Sequence, residues 1–140
     1  MILPVTLTAV GASALINLWL AVRVGQKRSA AKIWVGDGGN EPLIARMRAQ
    51  ANFIEYTPIV LILFAVIELA SGTSILLWSA MAVFLVGRVA HGFGMDGWRI
   101  GRAFGAISTM IVMVGLAFYA IAIPYMAPNH VAPVEMVQQG

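Results

Sequence analysis

Apolar residues in this chain come in long unbroken runs, separated by short polar clusters where the charges collect. A run of about 18 or more apolar residues reads as a membrane-spanning helix. Four segments meet that test. The first is Leu3 to Val22, which has no charge and only Thr6, Thr8, Ser13 and Asn17 as polar residues. A secretory signal would carry a basic residue ahead of a shorter apolar stretch, and this segment does neither. The second runs from Ala49 to Ala70 and carries Glu55 and Glu68. The third runs from Ser74 to His91, and the fourth from Ala103 to Ile123, where Pro124 stops it. At about 1.5 Å per residue each can cross roughly 30 Å of hydrocarbon. Backbone groups in lipid must pair within their own segment, so all four are expected to be helices.

The connections have their own chemistry. Gly36-Asp37-Gly38-Gly39 is a tight-turn cluster, and Asn40-Glu41-Pro42 supplies a cap and an early proline. Helix two is therefore expected to begin near Glu41, before it enters the membrane. Gly92, Gly94 and Gly97 mark the connection between helices three and four. The expectation is a single all-α membrane domain over residues 1–140, a bundle of four helices at about 3–23, 41–70, 74–92 and 99–123. The tail 127–140, with Pro128 and Pro133, is expected to be loosely ordered.

Composition agrees with the pattern. Of the 140 residues, 60% are hydrophobic and 11% charged, against about 45–50% and roughly 25% in soluble domains. A chain this small has too little interior to hide so much apolar surface, so the excess faces lipid. A solvated nucleic-acid module is excluded despite the net charge of +3. There is no cysteine, and His91 and His130 are too far apart in sequence to suggest zinc. No metal site is expected, and any sulfur chemistry must use a sulfur brought by the ligand.

The charges also orient the chain. All nine basic residues lie in or beside the connections between helices one and two and between helices three and four. Positive charge stays on the cytoplasmic side. Both basic connections are therefore expected in the cytoplasm and both termini outside, as in a bacterial inner membrane.

Two polar sets stand out at that basic end. Arg48, Asn52 and Glu55 sit at i, i+4 and i+7 on one face of helix two, with Tyr56 beside them and Gln50 nearly opposite. Ionisable residues inside a membrane helix mark a functional surface or a buried structural network. The second set is Arg88, His91 and Arg102. Taken singly, Arg23, Lys27, Lys32 and Arg99 are better read as side chains snorkelling to anionic headgroups. Glu68 lies thirteen residues beyond Glu55, on nearly the opposite side of helix two. A bare carboxylate cannot face hydrocarbon cheaply, so Glu68 is expected to touch protein or reach the interface. Together the two sets suit a small zwitterion with additional carboxylates, since arginine forks bind carboxylates and Glu55 can hold an ammonium. Glutathione fits this description, and so do amino acids and phosphorylated metabolites.

The string Arg48-Ala-Gln50-Ala-Asn52-Phe-Ile-Glu55-Tyr56-Thr-Pro58 closely resembles the helix-two signature of the MAPEG superfamily, the membrane-associated proteins in eicosanoid and glutathione metabolism. Gly87-Arg88-Val89-Ala90-His91 resembles the helix-three segment of its prostaglandin E synthase branch, and the Gly36-Asp37-Gly38-Gly39 turn resembles small bacterial members. The resemblance implies a four-helix protomer in a homotrimer, with glutathione bound between subunits near the cytoplasmic face. By matching position it implies that Arg48, Asn52, Glu55 and Tyr56 bind glutathione, with Gln50 reaching it from an adjacent subunit. Arg28, Arg88 and His91 join the binding set on the same ground, and Arg102 matches the arginine that activates the thiol in the leukotriene C4 synthase branch. The chain departs from the eicosanoid enzymes at Met95, where they have tyrosine. It departs also at His91, a tyrosine in the leukotriene branch, and at Ala103, a serine in the prostaglandin branch.

The implied activity is a glutathione-dependent transferase or peroxidase acting on hydrophobic electrophiles that arrive through the bilayer. The alternatives are a small proton-coupled exporter and a glutathione-binding trimer without turnover. Against the exporter, small multidrug exporters carry their essential glutamate in helix one, which here is uncharged.

Overall fold

In hydrocarbon no water is present to satisfy the peptide groups, and each apolar run closes its own hydrogen bonds. The computed structural model describes residues 2–126, so the tail 127–140 lies outside the described residues. It contains α1 (Pro4–Ala31), α2 (Glu41–Ser71), α3 (Ile75–Gly94) and α4 (Arg99–Met126). All four are long and apolar enough to cross a membrane.

The ends follow local chemistry. Pro4 opens α1 and Pro42 sits in the first turn of α2, where no amide donor is missed. The Asn40 side chain caps α2 by accepting from the Leu43 N–H at 3.0 Å, and Ser74 caps α3 by accepting from Leu77 at 3.3 Å. Two helices run further than expected. α1 continues past Arg23 to Ala31, because hydropathy marks where lipid ends while the helix-forming residues Gln26, Lys27 and Arg28 carry the helix into water. It stops at Lys32 in the left-handed conformation (φ 55°), with Ile33 N–H bonded back to Arg28 at 3.0 Å. α4 continues through Pro124 to Met126, so that proline does not stop the helix. It costs one hydrogen bond near an end, where unpaired carbonyls are already usual.

The helices run alternately up and down. α1 packs on α2 and α3, and α4 packs on α3 and α2, while the backbones of α1 and α4 do not approach each other. Two apolar clusters fill the interior. The larger, away from the basic end, joins Val5 and Ala9 of α1 to Val60 and Phe64 of α2, Phe84 of α3 and Leu116 of α4. The smaller, near the basic end, is Leu20, Ala49 and Phe53. The α3–α4 contact depends on two glycines. A Cβ on Gly105 would strike the Gly87 carbonyl and lie 2.5 Å from His91 Cβ. Close approach through small residues is the usual basis of helix association in lipid.

Glu68 is fully buried, and its carboxylate receives the Val5 N–H at 3.0 Å and the Thr6 N–H at 2.8 Å. The Thr6 and Thr73 hydroxyls add bonds of 2.7 and 2.8 Å. A glutamate of α2 thus satisfies the first turn of α1, whose donors have no partner within their own helix.

Candidate functional site

The helical period places Arg48, Asn52 and Glu55 on one flank of α2, and the packing of α2 with α3 and α4 decides what faces them. What faces them is His91 and Met95 of α3 and Arg102 of α4. These six side chains, with Ala51, line a cleft of about 310 Å³ at the basic end of the bundle. A second cleft of about 670 Å³ shares Asn52, His91 and Arg102 with the first. It continues along α4 past Arg99, Ala103 and Ala106 to Ile107. A polar compartment therefore opens directly into a more apolar one, with Arg102 on both walls.

Arg48, Glu55 and Arg102 are exposed on the outside of the protomer, whereas His91 is buried. Two guanidiniums and one carboxylate face a common space. One guanidinium can hold a carboxylate, the Glu55 carboxylate can hold an ammonium, the amide of Asn52 can serve as donor or acceptor, and the other guanidinium can favour a developing anion.

Arg88 stands behind this wall. It is 1% exposed and its Nη2 donates to Asn52 Oδ1 at 2.8 Å. Its Nε and Nη1 find no hydrogen-bond partner among the described residues, and neither does His91 Nδ1. The Phe53 ring lies 5.9 Å from the guanidinium carbon. Arg88 thus acts on the cleft through Asn52.

The remaining candidates lie elsewhere. Arg28, in the part of α1 beyond the apolar run, donates to the carbonyl of Gly36 at 2.6 Å and contacts the sulfur of Met47 at 3.5 Å. It holds the connection to α2. Gln50 and Tyr56 line neither cleft of the protomer.

One expectation is overturned. Arg23 does not reach for headgroups; it is 7% exposed, and its guanidinium lies 4.6 Å from the Trp19 ring and 5.4 Å from the Phe93 ring. It pairs with Asp96, and its Nη1 donates to the Gly92 carbonyl at 2.9 Å. Snorkelling applies to a cation with an apolar neighbour and open water beyond it. Here a carboxylate and two aromatic faces offer a better place. Reading for membrane spans missed Asp96 and Arg46, which pairs with it. The available signal was Trp19, one turn before Arg23, together with the single acid in the α3–α4 connection.

A family model described as the MAPEG family matches residues 6–122. The chain belongs to that family, and with its four apolar helices it is an integral membrane protein. It is similar to the inner membrane protein YecN of Escherichia coli strain K12, at 29% identity over 106 residues, covering 73% of this chain and 81% of the relative. The protein of the same name from Escherichia coli O6:H1 matches to the same extent.

Proposed function

We propose that this MAPEG protein is a glutathione-dependent transferase or peroxidase of the bacterial inner membrane, acting on hydrophobic electrophiles. The observation that carries the reading is the convergence of Arg48, Asn52, Glu55, His91 and Arg102, from three helices, on one cleft. The lining offers partners to one carboxylate, the ammonium, a peptide group and the thiol of glutathione, and the second carboxylate would need a cation from outside this cleft. Arg48 takes a carboxylate in its fork, Glu55 takes the ammonium, and Asn52, held by Arg88, takes a peptide group. Arg102 is left for the sulfur.

The chemistry asked of Arg102 is electrostatic. An ordinary thiol, with a pKa near 8.5, is mostly protonated at neutral pH, and a guanidinium beside it favours the thiolate. A shift of about two units would raise the thiolate fraction by nearly two orders of magnitude, at about 1.4 kcal/mol per unit. In a transfer, the sulfur forms a bond to the electrophilic carbon as the leaving group departs with its electron pair. In a peroxidase reaction two glutathiones become a disulfide while the hydroperoxide becomes an alcohol and water. The cleft beside Ala103, Ala106 and Ile107 is the natural place for the acceptor, since it opens from the polar compartment at Arg102.

The working assembly in this reading is a homotrimer with glutathione between subunits. Arg48, Glu55 and Arg102 are exposed on a protomer whose apolar surroundings belong in lipid. Charges are expensive there, and a second copy over the cleft would remove them from hydrocarbon. Gln50 and Arg28, outside the protomer's own cleft, would then be offered to a neighbour. The charge asymmetry supports both basic connections in the cytoplasm, and the name of the E. coli relatives supports the inner membrane.

The deciding experiment is titration of the purified trimer with glutathione, following thiolate absorbance and heat together. Saturable heat with a matching rise in absorbance is expected. Heat without absorbance would mean binding without activation, and neither signal would remove glutathione as the ligand.

A further inference from the structure

The connection from α3 to α4 runs only from Met95 to Trp98, and Arg102 follows in the first turn of α4. Asp96, in the middle of that connection, gives its carboxylate to two arginines. Arg46 of α2 approaches as a fork, with Nε at 3.1 Å from Oδ1 and Nη2 at 3.4 Å from Oδ2. Arg23 of α1 binds Oδ2 from the other side. The two arginines are themselves joined, since Arg46 Nη1 donates to the Arg23 carbonyl at 3.0 Å. Arg23 also holds the Gly92 carbonyl of α3. One carboxylate therefore ties the connection to α1 and α2, and Arg23 joins the same point to α3.

That attachment reaches Arg102 through backbone. The Arg102 N–H bonds the Trp98 carbonyl at 3.1 Å, and the Trp98 ring packs on Gly101. Gly94 has no room for a Cβ because the backbone of Gly101 and Arg102 lies against it. The connection and the first turn of α4 form one packed unit, so a shift of Asp96 is a shift of Arg102. The other restraint on this end of α4 is its packing on α3, where Gly105 lies against the Gly87 carbonyl and His91. The α1 backbone does not approach it, and Arg102, Ala103 and Phe104 are exposed.

We propose that Asp96 is a positioning residue for Arg102, acting through its clamp with Arg23 and Arg46. The inference rests on the glutathione reading for its functional consequence, though not for its structural one. The clamp lies at the opposite end of the bundle from the larger apolar cluster, which joins all four helices without it. Loosening it should leave the bundle intact and blur the placement of the guanidinium.

The test uses the full-length trimer, glutathione and chlorodinitrobenzene as a generic electrophile. Asp96→Asn keeps the shape and removes the charge. It is expected to lower kcat and the thiolate fraction of bound glutathione by about tenfold to a hundredfold, the penalty for a misplacement of about 1 Å. The dissociation constant for glutathione should change less than about threefold, because Arg48 and Glu55 are untouched. Asp96→Glu should recover part of the loss. Arg46→Gln leaves the Arg23–Asp96 pair in place and should show the same split more weakly, which guards against Asp96→Asn failing to fold. Unchanged kcat and thiolate fraction, or equal loss of binding and turnover, would overturn the proposal. Should the wild-type protein form no thiolate, the glutathione reading fails on its own. The clamp is then judged by amide hydrogen exchange over residues 99–104, which should quicken in both variants and which, unchanged, would dismiss it.

Discussion

Arg88 Nη2 reaches Asn52 Oδ1 at 2.8 Å, so a fully buried cation of α3 ends on an amide that lines the candidate cleft. Asn52 is the only hydrogen-bond partner that Arg88 has among the described residues. Asn52→Leu would leave the buried guanidinium with no hydrogen-bond partner among the described residues, and losing a hydrogen bond to a charged group costs about 1.5–3 kcal/mol. Adding Arg88→Met should recover most of that stability, since an apolar replacement for both members is close to neutral. Unfolding of the two variants in detergent, side by side with the wild type, checks the order.

Arg102→Leu and Arg48→Leu should separate chemistry from binding. Arg102 is expected to matter most for the charged sulfur, so its loss should cut kcat by about 10²–10³-fold, as for loss of one strong electrostatic contact. In the proposed reading Arg48 would hold ground state and transition state alike, so its loss should mainly raise KM. Steady-state kinetics at varied glutathione reads both. Equal loss of binding with turnover intact would make Arg102 a second anchor.

Gly105→Ala and Gly115→Ala test the α3–α4 contact. A Cβ at position 105 meets the Gly87 carbonyl and the His91 backbone, which are not flexible side-chain ends, whereas nothing lies within 4 Å of one at position 115. Gly105→Ala should push α4 away from His91, lower the melting temperature and disturb the cleft. Gly115→Ala should be neutral or stabilising by up to about 1 kcal/mol. Thermal unfolding of the pair settles it.

Glu68 is expected to be structural. Glu68→Ala would strand the Val5 and Thr6 amides at the start of α1, and buried unsatisfied donors cost about 1–3 kcal/mol each. Melting should fall, and glutathione binding by the surviving folded protein should not, because the cleft is at the other end of α2.

Topology can be read directly. Reporters fused at Gly38 and Gly97 should be cytoplasmic, and a label on a cysteine introduced at Ser71 should react from outside. Labelling of position 71 from the cytoplasm would invert the orientation and the placement of the cleft.

The apolar runs by themselves were enough for four membrane helices, because lipid as solvent permits no other pairing for the backbone. The 3.6-residue period was likewise enough to put Arg48, Asn52 and Glu55 on one flank of α2. Both are local properties, settled within a segment. What lies opposite that flank is not local. The close approach of Gly87 and Gly105 brings α4 against α3 and sets Arg102 beside His91. The same packing turns Arg88 behind Asn52 and lays Arg23 against the paired rings of Trp19 and Phe93, where Asp96 meets it. Read along the chain, Arg23, Arg28 and Arg88 are three similar cations near helix ends. One became a buried clamp, one a brace for a connection, and one the support of a wall. Periodicity gives a side chain's direction about its own helix axis, and only the neighbour that packs there decides whether that direction leads to lipid, water or a partner charge.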